Sequence, residues 1–564
     1  MDYKETYRNW LNSDEFDDET KKELASISDN EEEIRDRFYQ SLQFGTAGLR
    51  GKLGSGTNRM NKYMVKKATQ GFAKAILDLK DNNEKSVAIA YDVRHKSKEF
   101  AQVTAEVFAG NGIKVYLSDD IRPTPLLSYA VRHFGCDAGV MITASHNPKE
   151  YNGYKAYGAE GSQILEDMAK AIEKNIQEIE SFDEVKSISL QEGIEKGLIE
   201  FFSNKMDKEY MKDVLSLTIN DEDKLDKQIN IVYTPLNGTG NKYVRDILEM
   251  RGFKNIFVVS EQENPDPDFT TVGYPNPEDP KAFKYAIDLG KKVNADMLIG
   301  TDPDADRAAI EVKDKNGNYV FLNGNKIGAL MINYILSQRY ENKTLPKNGV
   351  IVKSIVTGDM GKEIANKYDI ETIETLTGFK NICGVANEFE KTKEKEFLYG
   401  FEESIGYNYG TFVRDKDAVS SAMIICEMAA FYKKQGKSLL DVLEELRQEF
   451  GYYNERLISI VLEGIEGQER ISRIMEEFRN NPITEIKNIK LVKTVDYLMD
   501  ETGIPKSNVI KYYFDDGSWY ALRPSGTEPK VKIYIYSKGN SLKESEKKLD
   551  LFEKSTVGKI DKIS

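Results

Sequence analysis

Short apolar runs alternate with stretches whose apolar residues recur at helical spacing, and this pattern repeats along the chain. Val87-Ala88-Ile89-Ala90-Tyr91 is a strand-like run followed by a polar loop. Phe100, Val103, Val107 and Phe108 then fall on one helical face, Gly112 ends that helix, and Ile113 to Leu117 is a second strand-like run. Together these predict a β-α-β unit. The same order returns in the strand Ile229 to Tyr233, the Gly-rich loop Thr234 to Gly240, the helical stretch Tyr243 to Met250 and the strand Ile256 to Val259. It returns again in Val350 to Val352, a loop with Gly358, the helix Lys362 to Tyr368 and a strand over Ile370 to Ile373.

Each unit is followed by an apolar strand that ends in a polar loop. The first is Gly139 to Ile142, then Thr143-Ala144-Ser145-His146-Asn147-Pro148. The second is Met297 to Gly300, then Asp302-Pro303-Asp304-Ala305-Asp306-Arg307. The third is Phe397 to Tyr399, then Gly400-Phe401-Glu402-Glu403-Ser404-Ile405-Gly406. The pattern predicts an α/β fold of three related mixed α/β domains, with the polar loops at the carboxyl ends of strands, where open α/β sheets bind ligands. From about Tyr452 the repeat stops. Trp519 to Leu522 leads into Arg523-Pro524-Ser525-Gly526-Thr527-Glu528-Pro529-Lys530, and the alternating strand Val531 to Tyr536 follows. Ser541-Leu542-Lys543-Glu544 reads as a capping box opening a last helix. This part is expected to be a smaller C-terminal α+β domain. Charged stretches at Asn220 to Lys227 and Arg479 to Lys487 are expected boundary regions, and the first forty residues read as helical, packed on the first domain or partly mobile.

Composition narrows the function classes. The chain has 564 residues, 40% of them hydrophobic, with a net charge of −14. Its Tyr 31 and Phe 25 content is too aromatic for a chain that buries nothing. The acidic balance disfavours non-specific nucleic-acid binding, so any anion must be met by a local cationic pocket. Cys136, Cys383 and Cys426 form no CxxC pair, and the charged start of the chain shows no signal-peptide core. Ala418 to Tyr432, the longest near-apolar stretch, is interrupted by Glu427 and is too short to span a bilayer. The expectation is a cytoplasmic protein with no membrane partner.

The loops then supply candidate chemistry. Asp302, Asp304 and Asp306 alternate on a loop and can converge on one hard cation; Arg307 and Lys313 occupy the positions where an EF-hand needs Gly and Glu, so that reading fails. Three carboxylates with coordination positions left over suit Mg²⁺, the alternative being a solvated acidic turn. Ser145 on a post-strand turn is either a nucleophile or phosphoryl carrier or a turn-stabilising hydroxyl; His146 beside it reads as structural. Arg523, Ser525, Gly526, Thr527 and Lys530 form a phosphate-binding vocabulary, with a tight surface turn as the alternative. Glu402 and Ser404 suit the hydroxyls of a sugar. Phe44 to Gly51 is a Gly-rich loop with the single cation Arg50. Lys380, after Thr377-Gly378-Phe379, could exchange a proton or be a surface charge.

Taken jointly, Thr-Ala-Ser-His-Asn-Pro, Asp-x-Asp-x-Asp-Arg and Arg-Pro-Ser-Gly-Thr-Glu-Pro resemble the α-D-phosphohexomutase family of phosphoglucomutases and phosphomannomutases, from Gly45 to Lys530. The resemblance implies four domains around a central cleft, here residues 1–207, 208–324, 325–452 and 453–564. It implies a phosphorylated Ser145, and one Mg²⁺ held by Asp302, Asp304, Asp306 and a phosphoserine oxygen. Arg50 and Lys155 match positions flanking the transferring phosphate, and Arg307 matches a cleft arginine. Glu402 and Ser404 match sugar-hydroxyl readers, Arg523, Ser525, Gly526 and Thr527 the distal phosphate loop, and Lys380 a sugar-facing lysine and candidate general acid/base. Gly-Phe-Glu-Glu-Ser-Ile-Gly differs from the Gly-Glu-Met-Ser-Gly-His of shorter bacterial phosphomannomutases and is similar to the longer phosphoglucomutase branch, which also contains phosphopentomutases. The implied reaction converts glucose 1-phosphate to glucose 6-phosphate through glucose 1,6-bisphosphate. Phosphomannomutase, phosphopentomutase and a phosphoserine-dependent sugar-phosphate hydrolase are the alternatives. The expected partners are small sugar phosphates, with the chain a monomer or dimer.

Overall fold

Parallel strands buried on both faces read as continuous apolar runs, and the runs at Val87–Tyr91, Gly139–Ile142, Ile231–Tyr233 and Met297–Gly300 form such strands. The computed structural model describes residues 2–46, 48–79, 84–462, 464–525 and 530–563. The chain divides into two units. One holds Met1–Gly324, Cys383–Gly400 and Ser404–Gly436; the other holds Asn325–Ile382, Phe401–Glu403 and Lys437–Ser564.

The first unit contains two mixed sheets. Strands β1 (Leu49–Lys52), β2 (Ser86–Tyr91), β3 (Lys114–Ser118), β4 (Ala138–Ile142), β5 (Tyr151–Gly158) and β6 (Ile199–Phe202) are ordered β1-β5-β4-β2-β3-β6. β2 pairs parallel with β3 and β4, while β5 pairs antiparallel with β4. The second sheet repeats this plan. Strands β7 (Ile231–Thr234), β8 (Ile256–Val258), β9 (Met297–Thr301), β10 (Ala308–Lys313) and β11 (Tyr319–Leu322) are ordered β11-β10-β9-β7-β8. β7 is parallel to β8 and β9, and β10 is antiparallel to β9. The Ser145 loop joins β4 to β5, and the Asp302 loop joins β9 to β10. They are equivalent strand-to-strand connections in two copies of one plan.

The open question about the first forty residues is settled by packing. Helices Tyr3–Asn12, Asp18–Ser26 and Glu31–Phe38 are N-capped by Asp2, Asp17 and Asn30, whose side chains accept from the backbone N–H groups of Lys4, Thr20 and Glu33. Trp10 stacks on Phe16 and meets Tyr63 and Phe182 edge-on, so the helices dock on the first domain through one aromatic cluster.

In the second unit β12 (Gly349–Ser354) and β13 (Glu371–Thr375) pair in parallel, as the third repeat predicts. Strand β14 (Glu396–Glu402) runs from the first unit into the second, and β15 (Gly406–Tyr409) belongs to the first. The C-terminal sheet contains β16 (Tyr452–Val461), β17 (Glu485–Ile486), β18 (Ile489–Asp496), β19 (Ile510–Phe514), β20 (Trp519–Pro524) and β21 (Lys530–Gly539), in the order β16-β21-β20-β19-β18-β17. β16 pairs with β21 along its whole length. The stretch Arg479 to Lys487 is therefore no boundary: it links the helix Gly464–Asn480 to β17 inside this sheet domain. The capping box at Ser541 is half formed. Ser541 Oγ accepts from the Glu544 N–H, but Glu544 Oε2 accepts from Asn540 N–H.

One face of the C-terminal sheet packs Trp519, Tyr534 and Tyr536 on Ile355 and Val356, just after β12. Charges are buried beside this apolar contact. Lys353 Nζ lies 2.9 Å from Asp359 and 3.1 Å from Glu374. Lys511 Nζ donates to the Ile355 carbonyl at 2.8 Å and sits 3.7 Å from the centre of the Trp519 ring. Burial pushes Lys511 down to about 8 although Asp359 pulls the other way. Between about pH 8 and the ordinary lysine value of 10.5 the unfolded chain then holds the extra proton, so stability contributed by this site rises with pH through that window. We predict a rise of up to about 3 kcal/mol in urea-unfolding free energy across it, flattened in Lys511→Met. An equal rise in the variant would contradict the assignment.

Candidate active site

Ser145 is buried, and its φ of 53° lies in the left-handed region that costs a non-glycine residue about 1–3 kcal/mol. Hydrogen bonds hold it there. The Ser145 N–H donates to Thr143 Oγ1 at 2.8 Å, and Thr143 Oγ1 donates to Asp92 Oδ2 at 2.7 Å. Arg94 Nη2 donates to the Ser145 carbonyl at 2.6 Å. Gly153 on β5 faces the same loop so closely that a Cβ there would stand 2.6 Å from the Thr143 carbonyl oxygen. The loop brings Ser145 Oγ within 2.8 Å of Asp302 Oδ2 across the two domains of the unit. Ser145 Oγ also lies 3.2 Å from His146 Nδ1. Burial, then Arg307 and Arg50, push the His146 imidazolium well below its ordinary range, so the ring is neutral at neutral pH.

The acidic loop is wound around the same point. Asp302 Oδ1 accepts from the N–H groups of Asp306 and Arg307 at 3.1 and 3.0 Å, with Ala305 at φ 47° making the turn. Asp304 Oδ2 accepts from Lys155 Nζ and from Thr124 Oγ1, both at 2.8 Å. Asp306 Oδ2 lies 3.1 Å from Lys416 Nζ and 3.4 Å from Lys155 Nζ. The loop is backed by Gly238, where a Cβ would meet Pro303 Cα at 2.5 Å, and by the Thr239 N–H, which donates to the Pro303 carbonyl at 2.8 Å.

Three buried carboxylates this close cannot ionise independently. Burial, then Asp304 and Asp306, raise the Asp302 carboxyl well above the ordinary carboxylate range. Burial opposes the ionised form of Asp304 too, but the Lys155 ammonium outweighs it and holds that carboxyl below the ordinary range. Asp306 is likewise held low, chiefly by Lys416 and Lys155 against burial and Asp304. One carboxylate oxygen from each aspartate lies within 4.8 Å of the others. Asp304 Oδ1 and Asp306 Oδ1 are buried without a hydrogen-bond partner. Oxygen-only ligands and two unsatisfied buried oxygens fit a hard divalent cation better than a closed ion-pair network.

The other expected residues divide between the units. Arg50 on β1 is exposed and donates to Asn147 Oδ1 at 3.4 Å, beside the Ser145 loop. Arg307 lies 3.8 Å from Glu278, and its backbone bridges to Gly406. Ser404 is half-buried in the same unit. Glu402, Lys380, Arg523 and Ser525 belong to the second unit. There Glu402 Oε1 accepts from the Gly378 N–H at 2.7 Å, which ties the sugar-reading candidate to the turn that carries Lys380. Ser525 N–H donates to the Lys530 carbonyl at 2.8 Å. Gly526 and Thr527 lie outside the described residues.

Sequence reading missed Asp92, Arg94, Thr124 and Lys416. The signal for the first two was their place immediately after β2, at the carboxyl edge that already marked Ser145. For Lys416 it was the charged run Arg414-Asp415-Lys416-Asp417 placed directly against the most apolar helix, Ala418–Lys434. Such a run is ordinarily solvated; here all four residues are buried.

Four family descriptions match the chain: phosphoglucomutase/phosphomannomutase alpha/beta/alpha domain I over residues 41–183, domain II over 208–317, domain III over 323–450 and the C-terminal domain over 473–547. The phosphoglucomutase of Staphylococcus epidermidis is 40% identical over 540 residues, covering 93% of this chain and 96% of the relative. Among solved structures, a phosphoglucomutase/phosphomannomutase family protein from Burkholderia thailandensis has a TM-score of 0.69 at 16% identity, covering 92% of this chain and 97% of that one. The phosphoglucomutase parafusin from Paramecium has a TM-score of 0.67 at 18% identity, covering 93% and 96%. Motifs, repeated sheets and matched domains lead to one conclusion: the chain belongs to the phosphoglucomutase/phosphomannomutase family.

Proposed function

We propose that this protein is a phosphoglucomutase, an isomerase that interconverts α-D-glucose 1-phosphate and D-glucose 6-phosphate through a phosphorylated Ser145 and a glucose 1,6-bisphosphate intermediate. The observation that carries the reading is the buried Ser145 hydroxyl, 2.8 Å from a carboxylate of a three-aspartate cluster with two unsatisfied oxygens. The curated relative at 40% identity bears the same activity in its name.

The serine donates its phosphoryl group to the free 6-hydroxyl of glucose 1-phosphate. The Oγ–P bond breaks as the sugar O–P bond forms, and the hydroxyl proton passes to a base, for which Lys380 is the candidate. The bisphosphate then turns end for end, its 1-phosphate returns to Ser145, and glucose 6-phosphate leaves. Phosphoryl transfer is chiefly positioning and charge neutralisation. Lys155 is suited to the second task, because Asp304 and Asp306 outweigh burial and raise its proton affinity, keeping it a cation. Arg50 and Arg307 are assigned the transferring phosphate. Glu402 and Ser404 read the sugar hydroxyls, and Arg523, Ser525, Gly526 and Thr527 hold the distal phosphate. Asp302, Asp304 and Asp306, with a phosphoserine oxygen, would hold a Mg²⁺, which would supply charge neutralisation at the transferring group.

Two predictions test this. With glucose 1-phosphate and catalytic glucose 1,6-bisphosphate, the wild type should form glucose 6-phosphate with inorganic phosphate release at least about a hundredfold slower, and Ser145→Ala should lose steady turnover. Phosphate release at the rate of sugar consumption would make the protein a hydrolase instead; full activity of the variant would remove the phosphoserine. For the cation, Asp304→Asn should weaken Mg²⁺ binding at least about tenfold by titration calorimetry. An unchanged affinity would contradict a site built on Asp304.

A further inference from the structure

Arg94 is a buried cation to which the proposed chemistry gives no part. Arg94 follows β2, its side chain has no exposed surface, and it points at the backbone of the Ser145 loop. Nη2 donates to the carbonyls of Ser145 and Asn147, and Nη1 to those of Pro148 and Tyr151, at 2.9 and 3.1 Å. A planar guanidinium offers donors in a fixed fork, so these carbonyls are gathered around one rigid plane. Phe269, from the second domain, lies against it with its ring centre 5.0 Å from the guanidinium carbon.

Asp92 holds Arg94 and the loop together. Asp92 Oδ1 accepts from the Arg94 N–H at 3.0 Å and from Ser97 Oγ at 2.7 Å, and Oδ2 lies 3.4 Å from Arg94 Nε. The same Oδ2 takes the Thr143 hydroxyl proton, which leaves Thr143 Oγ1 free to accept only, and it accepts from the Ser145 N–H. Ser97 Oγ in turn accepts from Asn152 Nδ2 at 3.0 Å, on the strand that leaves the loop. The carbonyl side of Ser145 is thus fixed by Arg94 and its N–H side by Asp92 through Thr143. The N–H side carries the left-handed φ of residue 145, and the carbonyl side its ψ.

We propose that Arg94 is a positioning residue for phosphoryl transfer. With Asp92 and Thr143 it holds the Ser145 backbone in the conformation that brings Oγ to Asp302. The proposal rests on the reading of Ser145 as the phosphorylated residue. Weakening the clasp leaves the groups assigned to sugar and distal phosphate in place, so the loss falls on the transfer step and not on sugar-phosphate binding.

The test is rapid-quench phosphorylation of the full chain by glucose 1,6-bisphosphate with Mg²⁺, beside steady-state kinetics and thermal unfolding. Arg94→Ala is expected to lower the rate of Ser145 phosphorylation and kcat by at least about a hundredfold, with KM for glucose 1-phosphate changed less than about threefold. Added guanidinium at millimolar concentration should restore part of the rate, a rescue that a merely structural role would not show. Thr143→Val, which keeps the shape and deletes the acceptor for the Ser145 N–H, should show the same split at about a tenfold loss; it carries the test if Arg94→Ala does not fold. Rates within twofold of wild type in either folded variant, or a loss confined to KM, would overturn the proposal. If wild-type Ser145 takes up no phosphate, the phosphoserine reading falls; if wild type and variants take it up equally fast, only the role of Arg94 falls.

Discussion

The contact between the Ser145 hydroxyl and Asp302 is the constraint on which the rest of the first unit depends. It joins the connection after β4 to the connection after β9, in two copies of the same sheet plan. Neither loop reaches the contact in relaxed backbone: Ser145 and Ala305 both adopt positive φ. Strain of this kind persists only where the surroundings over-determine the conformation. Here they do so through the Arg94 fork, the Thr143–Asp92 relay, and the backbone N–H groups of residues 306 and 307 that grip Asp302.

Charge explains why the surroundings are so heavily built. Burial, and then the neighbouring carboxylates, raise the proton affinity of Asp302. Lys155 comes from the strand after the serine loop and pairs with Oδ2 of Asp304 and Asp306; Lys416 comes from the segment before the helix Ala418–Lys434 and pairs with Asp306 Oδ2. Oδ1 of Asp304 and of Asp306 is buried without a hydrogen-bond partner. In each of these two aspartates one oxygen meets a lysine and the other has no hydrogen-bond partner, while Asp302 meets the Ser145 hydroxyl.

Much of this is legible in the sequence. Repeated β-α-β grammar located the sheets, because buried parallel strands leave continuous apolar runs. Polar loops after those strands located Ser145 and the three aspartates. Backbone clasps were not legible, since Arg94 acts on carbonyl oxygens and no motif encodes which carbonyls a side chain will reach. Lys416 was hidden for a different reason: a run of four charged residues reads as solvated until the fold buries it. The stretch 479–487 misled for the same cause in reverse, as its charges line the outside of a sheet domain and mark no boundary. The β-branched and aromatic alternation of Val531 to Tyr536 was read correctly because a strand with period two advertises itself.

The most direct measurement is the position of the phosphoryl group. Active protein incubated with glucose 1,6-bisphosphate and Mg²⁺, digested and mapped by mass spectrometry, is expected to carry a single phosphate on the peptide containing Thr143 to Pro148, at Ser145. A phosphate found on another side chain in protein that turns over normally, with Ser145 unmodified, would contradict the assignment of that hydroxyl as the phosphoryl carrier.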